Sequence, residues 1–340
     1  PNEKAAGKDA EGGSLVAMDV KTGQVLVCAS YPTYDLATFF ENYKEIVADE
    51  RDPLYNRALN AAYPPGSTYK MCMVIAAMNS RTYNMDTIID TKGRFTKYID
   101  TDFAPTCLYF TSTWELDTHG PINAAMALCV SCNYFFYVLG DDLSITLIDN
   151  TAKSLGLGEP TGIELVEKVG WRANPDSKAA SYEGVDAVWN AGDKVLMAIG
   201  QSENRFTPLQ LCVYVATLAN KGTRMKATFL SRVVSSDYRT LVRESSPEIM
   251  STMEIDDVTY MTYMQGMRQV ITGPRGTGNK YFGGPKDWVG DSNGMWPYPD
   301  IEVCAKTGTA ETFKDRSDNG AYICFAPMDD PQIAIAIYAE

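Results

Sequence analysis

The sequence lacks the features expected of nucleic-acid-binding, membrane-spanning or disulfide-rich proteins. Its 30 lysines and arginines are outnumbered by 43 aspartates and glutamates, and the formal net charge is −13. A surface of that sign opposes binding to a phosphate backbone, so we expect no nucleic-acid partner. No apolar run approaches the roughly 20 residues that a membrane helix needs. Eight cysteines among 340 residues are too few for a disulfide scaffold, and the composition predicts a packed globular domain.

Strands are predicted at the two ends of the chain and helices between them. The candidate strands are 14–20, 25–30, 301–312, 321–326 and 332–339. The candidate helices are 67–80, 122–128, 133–139, 143–155, 208–220 and 257–271. Thr207 and Pro208 predict an N-cap and a first-position proline for the helix at 208–220. Chain ends that meet in one antiparallel sheet, with helices packed against it, predict an α+β domain.

The predicted domain covers residues 14–340 and follows a linker at 1–13. Its sheet comes from 14–31 and 301–339, and its helical part is 38–271. Residues 272–300 are rich in glycine, proline and aspartate. They predict a long loop, and loops of this length are often functional.

Ser67 is the candidate nucleophile. Lys70 follows it by three residues and directly precedes the run 71–78. That run is apolar on all sides and predicts a buried helix. The two side chains share a helical face, and the free N–H groups of a first turn favour negative charge at Ser67. Burial lowers the pKa of a lysine, so Lys70 is a candidate base. The alternative is a capping serine and a lysine that reaches solvent, and spacing alone favours that alternative.

Acyl transfer through a serine also needs a proton route and donors for the oxyanion. A Ser-x-Asn motif at 131–133 lies between two predicted helices, and a second copy lies at 202–204. A Lys-Thr-Gly motif at 306–308 lies in a predicted strand, where its glycine allows a ligand backbone to approach. Another copy at 21–23 lies at a predicted hairpin tip. Each motif alone has an ordinary structural explanation.

In chain order, the motifs at 67–70, 131–133 and 306–308 resemble the three motifs of penicillin-binding proteins and serine β-lactamases. Similar flanking residues lie at 31–35, 56–58, 65–67, 162–165, 200–201, 207–211 and 306–311. These flanks resemble class B penicillin-binding proteins, the monofunctional D,D-transpeptidases, and most of all the elongation-type penicillin-binding protein 2 and sporulation-type group. Ala305 and Ser202 stand where glycine is usual, and neither change removes a reacting group.

The resemblance implies the penicillin-binding protein / serine β-lactamase-like transpeptidase fold, with a five-stranded antiparallel sheet flanked by helices and an all-helical subregion. It also implies catalytic roles. Ser67 would attack the carbonyl of the penultimate D-alanine of a peptidoglycan stem peptide, and Lys70 would accept its proton. Ser131 and Lys306 would relay a proton to the departing D-alanine.

The resemblance also implies how the substrate would bind. Asn133 would contact its amide side. Thr307 and Thr309, on either side of Gly308, would hold its terminal carboxylate. The backbone N–H groups of Ser67 and Thr309 would form the oxyanion hole. An amine from a neighbouring stem would then convert the acyl-enzyme into a crosslink.

A structural zinc site is the one cofactor that we expect. His119 is the single histidine, and it lies between Cys107 and the pair Cys129 and Cys132. Thiolates and imidazole are the usual zinc ligands in tetrahedral sites, although an ordinary loop histidine explains the residues equally well. A redox role for the cysteine pair is weaker, because no thioredoxin-like context surrounds it.

Family resemblance adds an acidic ligand to this set. Some penicillin-binding protein 2 members carry zinc beside the Ser-x-Asn motif, and residues 89–93 resemble the segment that supplies the acidic ligand. The implied ligands are Asp90, Cys107, His119 and Cys132. Cys129 is the competing fourth ligand on spacing alone. Such a site would be structural and would leave the chemistry free of any cofactor.

The same nucleophilic step allows other functions. A β-lactamase or D,D-carboxypeptidase would use water as acceptor, and a non-catalytic β-lactam sensor would bind without crosslinking. We find no clear second base for water and no sensor partner domain. The resemblance implies β-lactams as ligands, a membrane glycan polymerase as partner, and an extracytoplasmic position with an N-terminal membrane anchor outside this chain. It leaves open an elongation, division or sporulation role.

Overall fold

A five-stranded antiparallel sheet built from both ends of the chain is the frame of the structure. The computed structural model describes residues 10–110, 118–279, 300–310 and 318–340. Its strands are β1 (Gly13–Asp19), β2 (Val25–Tyr31), β3 (Ile89–Thr91), β4 (Gly120–Ile122), β5 (Thr223–Met225), β6 (Arg232–Val234), β7 (Leu241–Glu244), β8 (Ile249–Thr252), β9 (Cys304–Ala310), β10 (Asn319–Ala326) and β11 (Ile333–Ala339). The large sheet has the order β2–β1–β11–β10–β9, and every neighbouring pair is antiparallel.

The five strands of this sheet confirm the predicted architecture. Three parts of the sequence predictions lie outside the described residues: 1–9 of the linker, 280–299 of the long loop, and 311–312 at the end of the third candidate strand. Within the described part of the chain, no helix is both long and apolar enough to cross a membrane.

Helices fill the middle of the chain. They are α1 (Tyr43–Ala48), α2 (Arg57–Asn60), α3 (Lys70–Asn79), α4 (Ala124–Cys129), α5 (Asn133–Asp142), α6 (Ile145–Ser154), α7 (Pro175–Ser181), α8 (Ala191–Met197), α9 (Pro208–Ala219) and α10 (Asp257–Thr272). All twelve residues of α9 are buried, and it packs against β1, β10 and β11. Thr207 caps α9 through Gln210, and Pro208 occupies its first position, as the sequence predicts.

The predicted helical part also contains three two-stranded sheets among the described residues, and the sequence did not indicate them. They are β3–β4, β5–β8 and β6–β7. Their strands are three or four residues long, too short to show a clear alternation. Ile122 lies in a predicted helix but belongs to β4 in the structure. Asn123 is the N-cap of α4, where its side chain accepts a hydrogen bond from Met126 N, so the helix begins at Ala124.

The edge strand β9 adjoins the start of the buried helix α3. A 3-10 helical turn at Gly66–Tyr69 leads into α3 and packs against β9. The helix α10 packs against both β9 and α4. Three parts of the chain that are distant in sequence therefore meet at one edge of the sheet.

Candidate active site

Ser67 lies in the turn before α3 and directly beside β9. Gly66 has a φ of +53°, and a Cβ atom on it would lie 2.4 Å from the Thr309 carbonyl oxygen. The backbone N–H of Gly66 donates to Gly200 O at 3.0 Å. Only glycine fits this approach without displacing β9. The Ser67 side chain, with 9% of its residue surface exposed, is consequently held near the strand that carries the Lys-Thr-Gly motif.

The side chain of Lys70 is fully buried and points towards the Ser-x-Asn motif. Its Nζ donates to Asn133 Oδ1 at 2.7 Å, Ser131 O at 3.0 Å and Ser131 Oγ at 3.2 Å. Burial lowers the pKa of Lys70 from 10.5 to about 8, although the Cys107 and Cys132 thiols raise it slightly. The amine therefore has an accessible neutral form near physiological pH.

Among the described residues, Ser67 Oγ has no hydrogen bond, and the Lys70 amine donates to Ser131 and Asn133 instead. Catalytic hydrogen bonds in ligand-free enzymes are often long and tighten only when substrate binds. Both side chains nevertheless belong to one helical turn at the same end of α3. The two side chains therefore lie on consecutive parts of one turn at the edge of β9.

Lys306 approaches the same motif from β9. Its Nζ donates to Ser131 Oγ at 2.9 Å and to Thr307 O at 2.9 Å. Burial lowers the pKa of Lys306 well below 10.5, and repulsion from Lys70 adds to the effect. Neither lysine forms an ion pair within the described ranges. Lys70, Ser131 and Lys306 thus form a connected path along which a proton can move.

The Ser-x-Asn motif forms a tight turn between α4 and α5. Ser131 has a φ of +53°, a conformation that costs a residue with a side chain about 1–2 kcal/mol. Ser131 N donates to Leu128 O, and Cys132 N donates to Ala127 O, which hold the turn. Strain of this kind is found where a functional side chain must be presented.

The strand β9 presents the remaining motif at an edge of the large sheet. Gly308 is buried, and a Cβ atom on it would lie 2.9 Å from Pro65 O. Thr307 is half-buried and Thr309 is exposed. Both threonines lie at the sheet edge to which an extended peptide would bind.

The second copies of both motifs have structural roles. The Lys-Thr-Gly copy at 21–23 is the turn between β1 and β2, where Asp19 accepts hydrogen bonds from two backbone N–H groups. In the copy at 202–204, the Asn204 side chain accepts from Ala173 N and donates to Met197 O. Each copy is therefore held by hydrogen bonds of its own, although the segment before the copy at 202–204 adjoins the Ser67 turn through the hydrogen bond from Gly66 N to Gly200 O.

Three of the predicted zinc ligands lie together. Cys107 Sγ is 3.9 Å from Cys132 Sγ and 3.6 Å from His119 Nδ1, and the three ligand atoms lie within 4.8 Å of one another. Ligands of a tetrahedral zinc ion, with Zn–S of about 2.3 Å and Zn–N of about 2.0–2.1 Å, lie roughly 3.5–3.8 Å apart. The donor set and its spacing therefore fit zinc. Hydrogen bonds from Cys132 and His119 lower the pKa of the Cys107 thiol.

Neither candidate for the fourth ligand belongs to this group of three. Asp90 has an exposed side chain in ion-pair contact with Lys92, although β3 pairs it with Pro121, two residues after His119. Cys129 Sγ lies 3.3 Å from Gln269 O. Asp90 as a ligand stays a prediction.

Thr277 is a site residue that the motif search missed. Its Oγ1 lies 2.7 Å from Thr307 Oγ1, and its backbone N–H donates to Cys129 O at 3.3 Å. The only signal in the sequence was the glycine-rich loop predicted at 272–300. No short pattern in that loop singles out one threonine.

Comparison with known proteins identifies the family. A family model described as the penicillin binding protein transpeptidase domain matches residues 13–340. The chain belongs to this family. Among curated proteins, this transpeptidase domain is similar to the peptidoglycan D,D-transpeptidase MrdA of Acinetobacter baumannii, with 27% identity over 96% of this chain and 48% of that protein.

Two solved structures are similar to this transpeptidase domain. One is PBP2 of Helicobacter pylori in complex with MreC, at 26% identity and a TM-score of 0.76, over 96% of this chain and 56% of that one. The other is Pseudomonas aeruginosa PBP2 in complex with WCK 5153, at 25% identity and a TM-score of 0.76, over 96% of this chain and 69% of that one. The family and fold expected from the motifs are confirmed. The domain spans about half the length of the curated MrdA proteins that it matches.

Proposed function

We propose that this transpeptidase domain is the catalytic part of a serine peptidoglycan D,D-transpeptidase that is acylated on Ser67. The hydrogen-bonded path through Lys70, Ser131 and Lys306, next to the Ser67 turn and β9, carries the proposal. A serine nucleophile needs a nearby base and a proton route to the leaving group. Both are available at one edge of the sheet.

The acylation step follows from this arrangement. Ser67 Oγ attacks the carbonyl carbon of the penultimate D-alanine, and neutral Lys70 accepts the hydroxyl proton. The backbone N–H groups of Ser67 and Thr309 stabilise the oxyanion. The proton then passes through Ser131 to the nitrogen of the departing D-alanine as its C–N bond breaks, leaving an ester on Ser67.

Crosslinking repeats the same steps in reverse with a new amine. The acceptor amine attacks the ester carbonyl and loses a proton to the lysine–serine path. Ser67 leaves as the alkoxide and takes that proton back, and an amide joins the two stems. A β-lactam would acylate Ser67 in the same way but would keep its leaving nitrogen attached after ring opening.

Substrate binding is proposed for four residues around this path. Asn133 Oδ1 accepts from Lys70, which leaves its NH₂ group to donate to the substrate amide. Thr307 and Thr309 supply hydroxyl donors for the terminal carboxylate. Gly308, without a side chain, lets the peptide lie against β9.

A structural zinc ion would be held by Cys107, His119 and Cys132, with Asp90 as the proposed fourth ligand. When bound, it would supply a closed structural site with no open position for chemistry. Cys132 lies between Ser131 and Asn133, so the ion would tie the loop that carries His119 to the Ser-x-Asn turn.

The position and partners of the whole protein are also proposals. We expect an extracytoplasmic domain joined to a membrane anchor outside this chain, working with a membrane glycan polymerase. The anchor and the polymerase rest on the family resemblance. The relatives support a role in peptidoglycan and a protein partner, since MrdA is named as a peptidoglycan D,D-transpeptidase and the Helicobacter pylori PBP2 was solved with MreC.

Mass spectrometry after exposure to benzylpenicillin tests the proposed function. The wild type should gain one covalent adduct that maps to Ser67 and persists, and Ser67→Ala should gain none. Ser202→Ala, in the structural copy of the Ser-x-Asn motif, is the matched control and should label normally. Labelling of Ser67→Ala would contradict the proposal, and rapid loss of the adduct would favour a β-lactamase.

Release of D-alanine separates the remaining alternatives. With a stem-peptide donor and an amine acceptor, a transpeptidase should release D-alanine and form the crosslinked amide. A D,D-carboxypeptidase would release D-alanine and form only the hydrolysed peptide. A β-lactam sensor would form the penicillin adduct and release none.

A further inference from the structure

Thr277 contacts the carboxylate-binding threonine of the proposed site. Thr277 Oγ1 and Thr307 Oγ1 are 2.7 Å apart, a normal distance between two hydroxyl groups that share a hydrogen bond. Both side chains are half-buried. The contact joins the segment after α10 to the Lys-Thr-Gly motif in β9.

Backbone contacts hold the segment 273–279 in place. Gly276 N donates to Gly273 O at 2.8 Å, and Gly278 N donates to Val270 O at 3.0 Å. Asn279 Nδ2 donates to Ile271 O at 2.9 Å. The segment therefore folds back onto the end of α10, and these contacts hold the backbone on both sides of Thr277.

The same segment contacts the end of α4, just before the second motif. Thr277 N donates to Cys129 O at 3.3 Å, and Cys129 ends α4 two residues before Ser131. Thr277 therefore connects β9 with the helix end that leads into the Ser-x-Asn turn.

We infer that Thr277 is a positioning residue that orients the Thr307 hydroxyl toward the carboxylate of the donor peptide or β-lactam. The inference rests on the proposed function. A threonine hydroxyl has one proton to donate. Once Thr307 donates that proton to a carboxylate, its hydrogen bond with Thr277 persists only with Thr277 as the donor and the Thr307 oxygen as the acceptor. The pair then forms a chain from Thr277 to Thr307 to the carboxylate, in which each bond strengthens the next.

Thr277→Val tests this inference because it removes the hydroxyl and keeps the shape of the side chain. Loss of one hydrogen bond should lower the second-order rate constant for acylation by benzylpenicillin roughly three- to ten-fold. With a stem-peptide donor, the loss should fall mainly on KM rather than kcat, because the carboxylate lies away from the reacting bond. Thr277→Ser should restore the rate.

Benzylpenicillin methyl ester separates positioning from a general structural effect. The ester lacks the anionic acceptor, so a charge-assisted bond from Thr307 is absent. The Thr277→Val and wild-type rates for the ester should therefore be similar. In a Thr307→Val background, adding Thr277→Val should have no further effect on benzylpenicillin, since the two act as one unit.

Thr272→Val is the matched control, because its exposed hydroxyl donates to Arg268 O in its own helix and to nothing else in the described part of the chain. It should acylate like the wild type, and all variants should show similar melting temperatures. A Thr277→Val protein that reacts normally with benzylpenicillin, or slows equally with the ester, would overturn the inference alone. A wild type that is never acylated would overturn the proposed function and this inference with it.

Discussion

At the scale of single residues, the environment of two lysines decides the chemistry. Lys70 and Lys306 are both fully buried, and both donate to Ser131 Oγ. Their nearest polar neighbours are hydroxyl, amide and carbonyl groups rather than carboxylates, so burial is not offset by an ion pair. The charged form of each amine is therefore disfavoured, which suits proton transfer at neutral pH.

The pKa of Lys70 predicts the pH dependence of acylation. The base must be neutral, and burial lowers its pKa from 10.5 to about 8. Below pH 8, the rate constant for benzylpenicillin should therefore rise about tenfold per pH unit and then level off. Lys306 and the thiols of Cys107 and Cys132 also influence this amine. Stopped-flow acylation between pH 5.5 and 10 would measure the profile, and a midpoint near 10.5 would contradict the role of Lys70.

At the scale of secondary-structure elements, close backbone contacts set the position of the nucleophile. The turn Gly66–Tyr69 and the strand β9 touch through two glycines, Gly66 and Gly308. Neither contact tolerates a Cβ atom without movement. The separation of the two elements is consequently controlled by Gly66, which directly precedes the nucleophile motif, and by Gly308, the glycine of the Lys-Thr-Gly motif.

Gly66→Ala should separate these two elements. The new Cβ atom would lie 2.4 Å from Thr309 O, so either the turn or β9 must shift, and the oxyanion donors would shift with it. We expect acylation to fall by roughly 100-fold or more. The free energy of unfolding should also fall by about 2–4 kcal/mol, as urea titration would show.

Gly184→Ala is the control for that substitution. Gly184 also has a positive φ, at +63°, but nothing lies within 4 Å of the position its Cβ atom would take. The Gly184→Ala substitution therefore introduces the same kind of backbone strain but no steric clash. Its acylation rate should match the wild type, and equal loss of acylation in both variants would contradict the proposed role of the contact.

At the scale of the whole molecule, contacts between distant segments assemble each site. The antiparallel pair β3–β4 closes the segment that carries Cys107 and His119, and this segment lies against Cys132 at the start of α5. The three ligand atoms meet only when these parts of the domain are folded. A bound metal would therefore contribute to the stability of the entire domain.

Removal of zinc should destabilise the domain. Metal analysis of protein purified in the presence of zinc should find about one ion per chain, and a chelator should lower the melting temperature by roughly 5–15 °C. Cys107→Ser should lose the metal, whereas Cys129→Ser should keep it, because Cys129 lies outside the group of three. Unchanged melting with chelator would rule out the structural ion.

The sequence by itself determined much of this protein. Local patterns predicted the strands of the main sheet, the apolar helix after Ser67, and α9 with its cap at Thr207. Buried elements are encoded by runs of apolar residues, and a helix start is encoded by its capping residue, so both signals are local in sequence. Motifs in chain order indicated the family. Short strands such as β3 and β4 were missed, since pairing across about 30 residues leaves no local pattern.

Motif order along the chain singled out 131–133 and 306–308, and the tertiary structure then brought both to Lys70, whereas the side chains of the copies at 21–23 and 202–204 form other contacts. The tertiary structure also brought Thr277 to Thr307 and left Asp90 outside the group of zinc ligands. Spacing along a chain restricts which side chains share a turn, but it carries no information on which turns meet. That choice depends on packing of the whole domain, in which β9, α3 and the turn before α5 share one buried edge.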